Sequence, residues 1–389
     1  FERADKSKMI ALESNPIDFL LGRTNEEVAS KSRSQHKSQG FGSSPSLGSQ
    51  TEYLELINGS NPSNSNPLDK IDTTWGRVEG ASEIEIKVNT LITNFDLEKP
   101  YKSVPFLAAL YKDISKLDDN YWKAIKLKEV SDLIQNCLGL RLQFNTFQET
   151  GVVKTSLPTQ LLILNPSPIA IKLEKIDGAI NLEISKKLVQ NQPWESRQNY
   201  QIPNKISTPY WLLKNGDLGN YYVQNESLKG LAETPNPIKV RFHVMINSTF
   251  IPIQVPLKYK TTDRVAGEVL QNFQILPKAT IQLKDKVILF QKDKVKKVSL
   301  QVRAHIQNFK GFVTLKVPKN WDFFPKKQDV KIDRAGAVKE FIFNVTPPKG
   351  SDTGIFSGLV SDGIQDYNMT LEEIEYPHIS KQYMLSPKK

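Results

Sequence analysis

The feature that most constrains this chain is a change in its hydrophobic pattern near residue 143. From there onward apolar and polar residues alternate in short runs, which Pro, Asn and Gly interrupt at intervals of roughly 8–12 residues. This pattern is typical of β-sandwich domains, in which one face of each strand is buried. It predicts a β-sandwich over residues 143–268 and an Ig-like β-sandwich over residues 269–350.

The Ig-like prediction depends on two alternating runs. Val298, Leu300 and Val302 form one of them, and the other is "VKEFIFNVTPP". Residues 351–389 are predicted to be a C-terminal extension, because "EEIEYPHISKQYMLSPKK" resembles a strand that leads elsewhere.

Before residue 143 the apolar spacing is helical instead. Residues 81–142 are predicted to form three amphipathic helices that pack as a small bundle. Residues 58–80 begin with "NGSNPSNSNPLD", whose composition is typical of a linker. Residues 1–57 form a separate first segment. The chain is therefore predicted to be an α+β multi-domain protein.

One helix is predicted within the first segment. Thr24 and Glu27 have the spacing of a capping box, and the helix would continue to a stop at Gly40. Val28, His36 and Gln39 then share one helical face. Because Val28 should point inward, we expect His36 and Gln39 to point into the body of a domain.

Composition and charge exclude several classes of protein. The single cysteine, Cys137, excludes an internal disulfide and a cysteine-based zinc site, and its apolar surroundings predict a core position. No apolar run of about 18 residues exists, so no transmembrane segment is expected. The net charge is +10, but the lysines are spread along the chain, which favours solvated faces and edge protection over an anion-binding surface.

The residues do not reveal a catalytic apparatus. His36, His243, His305 and His378 each stand alone, without a second histidine within four positions, and Glu375, three residues before His378, is the one acidic residue that close to any of them. A metal hydrolase needs about three converging ligands, usually with a short-spaced pair among them. No P-loop, no Gly-x-Ser-x-Gly and no dinucleotide-binding fingerprint is present.

Several stretches of the chain are nevertheless similar to one known family. They include "NPIDFLLGRTNEEVASKSRSQHKSQGFGSSPSLGSQTEYLELI", "DTTWGRVEG", "SVPFLAALYKDI" and "STPYWL". The first two resemble the end of the catalytic domain in large PIG-L (LmbE-like) family deacetylases of Bacteroidota. The others resemble the helical and β-sandwich parts that follow in the same proteins, so the resemblance covers nearly the whole chain.

The resemblance implies a parent protein that is a zinc-dependent N-acetylglucosaminide deacetylase with a Rossmann-like catalytic domain. The family's metal motifs, Ala-His-Pro-Asp-Asp and a His-x-x-His type, are absent from this sequence. We therefore expect them before Phe1, with zinc in the parent protein only, and assign no catalytic residue and no metal ligand to this chain. The family's late helix often ends in His-x-Ser-Gln. His36, Ser38 and Gln39 match that ending, which implies that they support the substrate pocket.

Three hypotheses follow. In the first, the chain is the C-terminal portion of such a deacetylase, with an amino-sugar or glycan substrate bound through the missing catalytic domain. In the second, it is a non-catalytic scaffold of the cell envelope that binds glycan or a partner protein. The third, a binder of nucleic acid or another anionic polymer, is disfavoured by the scattered lysines, and no nucleic-acid partner is expected. Family members of this architecture look exported, which implies a periplasmic or cell-envelope location.

Overall fold

The protein forms two compact units in a computed structural model. The first unit contains Phe1–Thr90 and Lys116–Lys123, and the second contains Leu91–Ser115 and Ala124–Lys389. The structure describes residues 5–60, 62, 66–214, 216–291, 294–350, 352–376 and 379–387. His378, one of the four isolated histidines, lies outside the described residues.

The first unit is built from short elements. They are β1 (Ile10–Glu13), β2 (Ile17–Asp18), β3 (Arg23–Thr24), α1 (Asn25–Arg33), β4 (Thr51–Leu54) and the start of α2 (Ser82–Thr93). Strand β1 pairs antiparallel with β4, and β2 pairs with β3. The predicted capping box is confirmed, because Glu27 N–H donates to Thr24 Oγ1 and Thr24 N–H donates to Glu27 Oε2.

The three helices predicted over residues 81–142 are confirmed as α2, α3 (Val104–Ile114) and α4 (Asn120–Leu138). The prediction that they pack as a bundle of their own is wrong, because the helices are divided between the two units. Within the second unit α3 lies against a sandwich strand, Thr249–Pro256, and its buried side chains include Leu107, Leu110 and Ile114. The apolar face of α3 is thus covered by a sheet.

Cys137, predicted to be a core residue, is only partly buried.

The first sandwich consists of β5 (Arg141–Thr146), β6 (Thr150–Val152), β7 (Ser156–Leu164), β8 (Lys172–Gly178), β9 (Leu182–Lys187), β10 (Trp194–Gln201), β11 (Lys239–Ile246), β12 (Thr249–Pro256), β13 (Lys258–Asp263), β14 (Gly267–Asn272) and β15 (Gln274–Leu276). One sheet has the order β10-β7-β5-β13-β14 and the other the order β12-β11-β8-β9, while β15 pairs with β6. Alternate residues are buried, as in β11, where Val240, Phe242, Val244 and Ile246 face inward.

The second sandwich consists of β16 (Ala279–Leu283), β17 (Lys296–Ala304), β18 (Phe309–Lys316), β19 (Asp322–Phe324), β20 (Gln328–Ile332), β21 (Val338–Thr346), β22 (Ser357–Ser361) and β23 (Asp366–Tyr367). The orders β16-β17-β21-β19 and β23-β22-β18 correspond to the ABED and GFC sheets of immunoglobulin domains, with β20 added beside β18. Residues of both sheets, among them Leu300, Phe343, Phe309 and Val360, share one core. The prediction of a multi-domain chain with two β-sandwiches is therefore confirmed, and the chain is β-rich as a whole.

The structure differs from the sequence prediction beyond residue 350. The predicted end of the Ig-like domain falls inside the second sandwich, because β22 pairs with β18 and β23 pairs with β22. The tail is a hairpin of β24 (Met369–Tyr376) and β25 (Ile379–Pro387), rather than a strand leading elsewhere. Thr370 Oγ1 donates to the Ile281 carbonyl at 3.0 Å, so the hairpin caps part of the edge of β16.

Candidate functional site

The N-terminal segment, residues 10–57, folds without an apolar core. Between residues 5 and 60 the only buried residues are Asn15 and Ser30, and both are polar. The large apolar side chains of the segment, apart from the partly buried Ile10 and Tyr53, are instead exposed: Leu12, Ile17, Phe19, Leu20, Leu21, Val28, Phe41, Leu47, Leu54, Leu56 and Ile57.

Polar hydrogen bonds give the N-terminal segment its shape. Asn15 Nδ2 donates to the Gly48 carbonyl at 2.8 Å, and Asn15 Oδ1 accepts from Glu26 N–H at 2.8 Å. One side chain therefore joins the start of α1 to the loop before β4. Ser30 Oγ on α1 donates to the Ser43 carbonyl, which fixes the helix against the returning chain.

A tight turn presents three apolar side chains to solvent. Asp18 Oδ1 accepts from the N–H groups of Leu20 and Leu21, and Gly22 closes the turn with a φ of 63°. Leu20 is 98% exposed, and Phe19 and Leu21 beside it are also exposed. Because the turn is held by its own hydrogen bonds, this apolar triad is presented in a defined position.

The predicted pocket residues lie at the surface. Helix α1 ends at Arg33, and Lys37–Gln39 form a separate 3₁₀ turn that Gly40 ends in a left-handed conformation. His36 Nδ1 lies 3.0 Å from Gln39 Oε1. His36, Ser38 and Gln39 are all exposed, and Val28 is 46% exposed. The expected inward orientation is therefore wrong for this chain, because no part of the N-terminal segment covers that face.

Zinc does not fit the described residues. Among them no group of three or more His, Cys, Asp or Glu side chains is placed to hold a metal ion. His243 Nε2 lies 2.8 Å from Asp177 Oδ2 on the outer face of the first sandwich, and His305 Nε2 lies 2.9 Å from Thr280 Oγ1 in the second. We therefore assign no step of zinc chemistry to this chain.

In the part of the chain that the structure describes, no helix is long and apolar enough to span a membrane.

A cavity that the sequence analysis did not identify lies on the outer face of the sheet β12-β11-β8-β9. It has a volume of about 440 Å³, and its lining residues are Glu174, Lys175, Glu183, Ile184, Ser185 and Phe250. They come from three strands, β8, β9 and β12. This size is within the range of ligand-binding clefts.

A β-bulge shapes the floor of this cavity. The pairing of β8 with β11 passes from Leu173↔Val244 directly to Lys175↔His243, so Glu174 has no partner on that strand. The pairing of β8 with β9 is also irregular at this point, where Ser185 has a φ of 52°. Bulges and left-handed non-glycine residues are costly, and they are found preferentially at functional sites.

The bulge leaves one carboxylate oxygen without a hydrogen bond. Glu174 Oε1 is buried, and Lys172 Nζ lies 2.7 Å away but outside hydrogen-bond geometry. The Glu174 side chain is 16% exposed. The ammonium of Lys172 compensates the charge of this oxygen, and a ligand hydroxyl that donates to it would add the hydrogen bond that the ion pair does not make.

Asp177 holds the two strands together next to the bulge. Its carboxylate accepts from Arg241 Nε at 2.7 Å and lies 2.8 Å from His243 Nε2, both on β11. Partial burial would raise the pKa of Asp177, but the hydrogen bond from Arg241 and the charge of His243 hold that pKa below its usual value.

The sequence contains two signals of this site. Apolar residues occur at 171, 173 and 176, so the period of two slips by one residue between Leu173 and Ile176. An inserted residue of this kind is what a bulge requires. A second signal is Asn247-Ser248, whose φ values of 45° and 64° form the two-residue turn that sets Phe250 opposite Met245.

Comparison with known proteins does not assign the chain to a family. No protein-family model and no curated protein matches it. Among solved structures, red sea bream transglutaminase is similar over 70% of this chain and 34% of its own, at 10% identity and a TM-score of 0.26. The I9–I11 tandem of titin is similar over 60% and 67%, at 5% identity and a TM-score of 0.20.

A third solved structure, the Pseudomonas fluorescens DNA glycosylase AlkC, is similar over 44% of this chain and 50% of its own, at 10% identity and a TM-score of 0.16. The chain therefore spans half or less of the length of the glycosylase and of the transglutaminase. TM-scores this low carry no argument about fold or function.

Proposed function

We propose that this chain is the accessory portion of a zinc-dependent deacetylase of the PIG-L-like type, which removes N-acetyl groups from amino sugars. The N-terminal segment would form one layer of the catalytic domain, and the two sandwiches would be non-catalytic. The observation that carries the proposal is that the N-terminal segment buries no large apolar side chain.

A layer with so many exposed apolar side chains needs a second protein layer packed against it, which we call the cover. Two-stranded pairs such as β1–β4 are marginally stable in water on their own, and fixing a backbone residue costs about 1–2 kcal/mol. Each Leu, Ile or Phe that becomes buried contributes ~1.5–3 kcal/mol. Leu20, Phe19 and Ile57 are nearly fully exposed, so burying them against another protein layer would supply the missing stabilisation.

The proposed cover is the body of the deacetylase domain. The sequence resemblance over residues 15–57 supports this choice. In this arrangement the zinc ligands and the general base belong to the cover. His36 and Gln39, already joined by a 3.0 Å contact, would lie at the rim of the substrate pocket and orient the sugar.

The proposal is tested with the complete protein that contains this chain. Its reading frame should encode a His-Pro-Asp-Asp motif before Phe1, and the purified protein should contain zinc and release acetate from an N-acetylglucosaminide. The 389-residue chain alone should release none. A complete protein without the motif and without acetate release would overturn the proposal.

A non-catalytic scaffold of the cell envelope is the second candidate function. The cavity on the outer face of the first sandwich favours it, because that cavity belongs to a sheet with its own core and needs no other domain. The two candidates differ in one observable property. A scaffold would bind its ligand with the 389-residue chain alone, whereas the deacetylase requires the catalytic domain.

A further inference from the structure

We propose that the cavity lined by Glu174, Lys175, Glu183, Ser185 and Phe250 binds a carbohydrate, with one sugar ring lying against Phe250. This inference names a ligand class for the scaffold candidate and holds whether or not the deacetylase proposal is correct. It depends on the shape and chemistry of the cavity and on the rigidity of its frame.

Phe250 supplies an apolar platform. Its side chain is half exposed on the outer face of the sheet, across β11 from the bulge in β8. An aromatic ring that is half exposed and lines a cavity can cover the apolar C–H face of a pyranose ring. Such stacking contacts contribute free energy beyond the buried area alone.

The opposite side of the cavity supplies hydrogen-bonding groups of both kinds. Glu174 and Glu183 provide carboxylate acceptors, while Lys175 and Ser185 can donate. A polyhydroxylated ring donates and accepts at each hydroxyl, so it matches this mixture. Glu174 Oε1, which has an ion pair with Lys172 but no hydrogen bond, can accept from a ligand hydroxyl.

The frame of the cavity is fixed before any ligand binds. The bulge sets the position of Glu174, the hairpin turn at Asn247-Ser248 sets that of Phe250, and Asp177 joins β8 to β11 beside them. Preorganised groups lose little entropy on binding, which favours affinity for a small ligand.

The test uses the 389-residue chain and isothermal titration with chitohexaose, cellohexaose, xylohexaose and mannohexaose. We expect at least one of these sugars to bind. Phe250→Ala should weaken that binding by about fivefold to tenfold, since aromatic contacts contribute ~1 kcal/mol or more. Phe147→Ala is the matched control, because Phe147 is an exposed phenylalanine that directly follows β5 of the opposite sheet and does not line the cavity, and it should leave binding unchanged.

Glu174→Gln should weaken binding by about tenfold, because a carboxylate is a stronger acceptor than an amide. Glu268→Gln, an exposed carboxylate on the opposite sheet, is its control. Saturation-transfer NMR on the unmodified chain should show ring C–H protons of the bound sugar in contact with the protein. Absence of binding by all four sugars, or equal binding by the Phe250→Ala and Glu174→Gln variants, would overturn the proposal.

Discussion

Lys381 Nζ lies 3.2 Å from Glu149 Oε1, and this contact joins the C-terminal hairpin to the first sandwich. The same Nζ lies 3.0 Å from Glu373 Oε2, and Glu373 pairs with Arg303 on β17 of the second sandwich. Four alternating charges therefore run from one sandwich to the other through the hairpin. Burial would lower the pKa of Lys381, but hydrogen bonds with Tyr383, Glu373 and Glu149 raise it.

Lys381→Met is expected to destabilise the second unit by about 1–2 kcal/mol, since the Lys381 side chain is only 20% exposed and two carboxylates lose their partner. The effect should shrink in high salt. Lys286→Met is the matched control, because Lys286 is 89% exposed and lies 3.7 Å from Glu372. Urea unfolding at low and high salt measures both. Equal effects of the two substitutions would contradict the role given to Lys381.

The stability of the second sandwich should depend on pH through His305. Burial, together with the charge of Arg303, lowers the pKa of His305 from 6.5 to about 4, although Glu373 acts in the opposite direction. The unfolded chain therefore binds a proton more readily between these values, and stability is lost as pH falls through this window. The expected loss between pH 7.5 and pH 5 is about 2 kcal/mol.

Unfolding of the wild type and of His305→Gln at pH 7.5 and pH 5 isolates this contribution. The glutamine variant should lose less stability than the wild type over that range, because the amide does not titrate and can still reach Thr280 Oγ1, which lies 2.9 Å from His305 Nε2. Equal losses in both proteins would show that other groups cause the pH dependence.

Asp362 is expected to be the most sensitive polar residue of the second sandwich. Its carboxylate accepts from Lys278 Nζ at 2.8 Å, from Tyr367 Oη at 2.9 Å and from two backbone N–H groups of its own turn. Asp362→Asn should cost about 2–4 kcal/mol, since it leaves Lys278 without its charged partner. Asp333→Asn, at an exposed carboxylate 3.9 Å from Lys331, should cost almost nothing. Thermal unfolding compares the two.

The sequence predicted the sandwiches well, because a strand with one buried face alternates apolar and polar residues, and this alternation is visible in the sequence. Two runs with strand-like composition, "NYYVQNES" and "KVILFQ", do not form strands: the first ends in a 3₁₀ helix, Glu226–Leu228, and the second is a loop. A strand requires a neighbour to pair with, and the local sequence does not reveal whether one exists.

The helix at residues 25–33 shows a second kind of failure. Helical spacing placed Val28 and His36 on one face, and the inference that this face is buried was a further step. Phasing determines which residues share a face, but it does not determine which polypeptide covers that face. The bulge at Glu174 was missed for a related reason, since a one-residue break in the apolar alternation resembles ordinary variation of the sequence.

Leu20→Ser tests the proposed cover at its most exposed residue. In the 389-residue chain the substitution should change the free energy of unfolding by less than ~0.5 kcal/mol, because Leu20 is 98% exposed. In the complete protein it should cost ~1.5–3 kcal/mol, the value of a buried leucine. Leu218→Ser, at a fully exposed leucine of the second unit, should be neutral in both proteins.

Hydrogen exchange of the 389-residue chain, followed by mass spectrometry, tests the central claim most directly. If the N-terminal segment is a layer that another domain covers, amides of α1 and β4 should exchange with opening free energies of only about 0–2 kcal/mol, while β11 and β17 stay protected. In the complete protein, the amides of α1 should become protected. Protection of α1 equal to that of β11 in the 389-residue chain alone would contradict the claim.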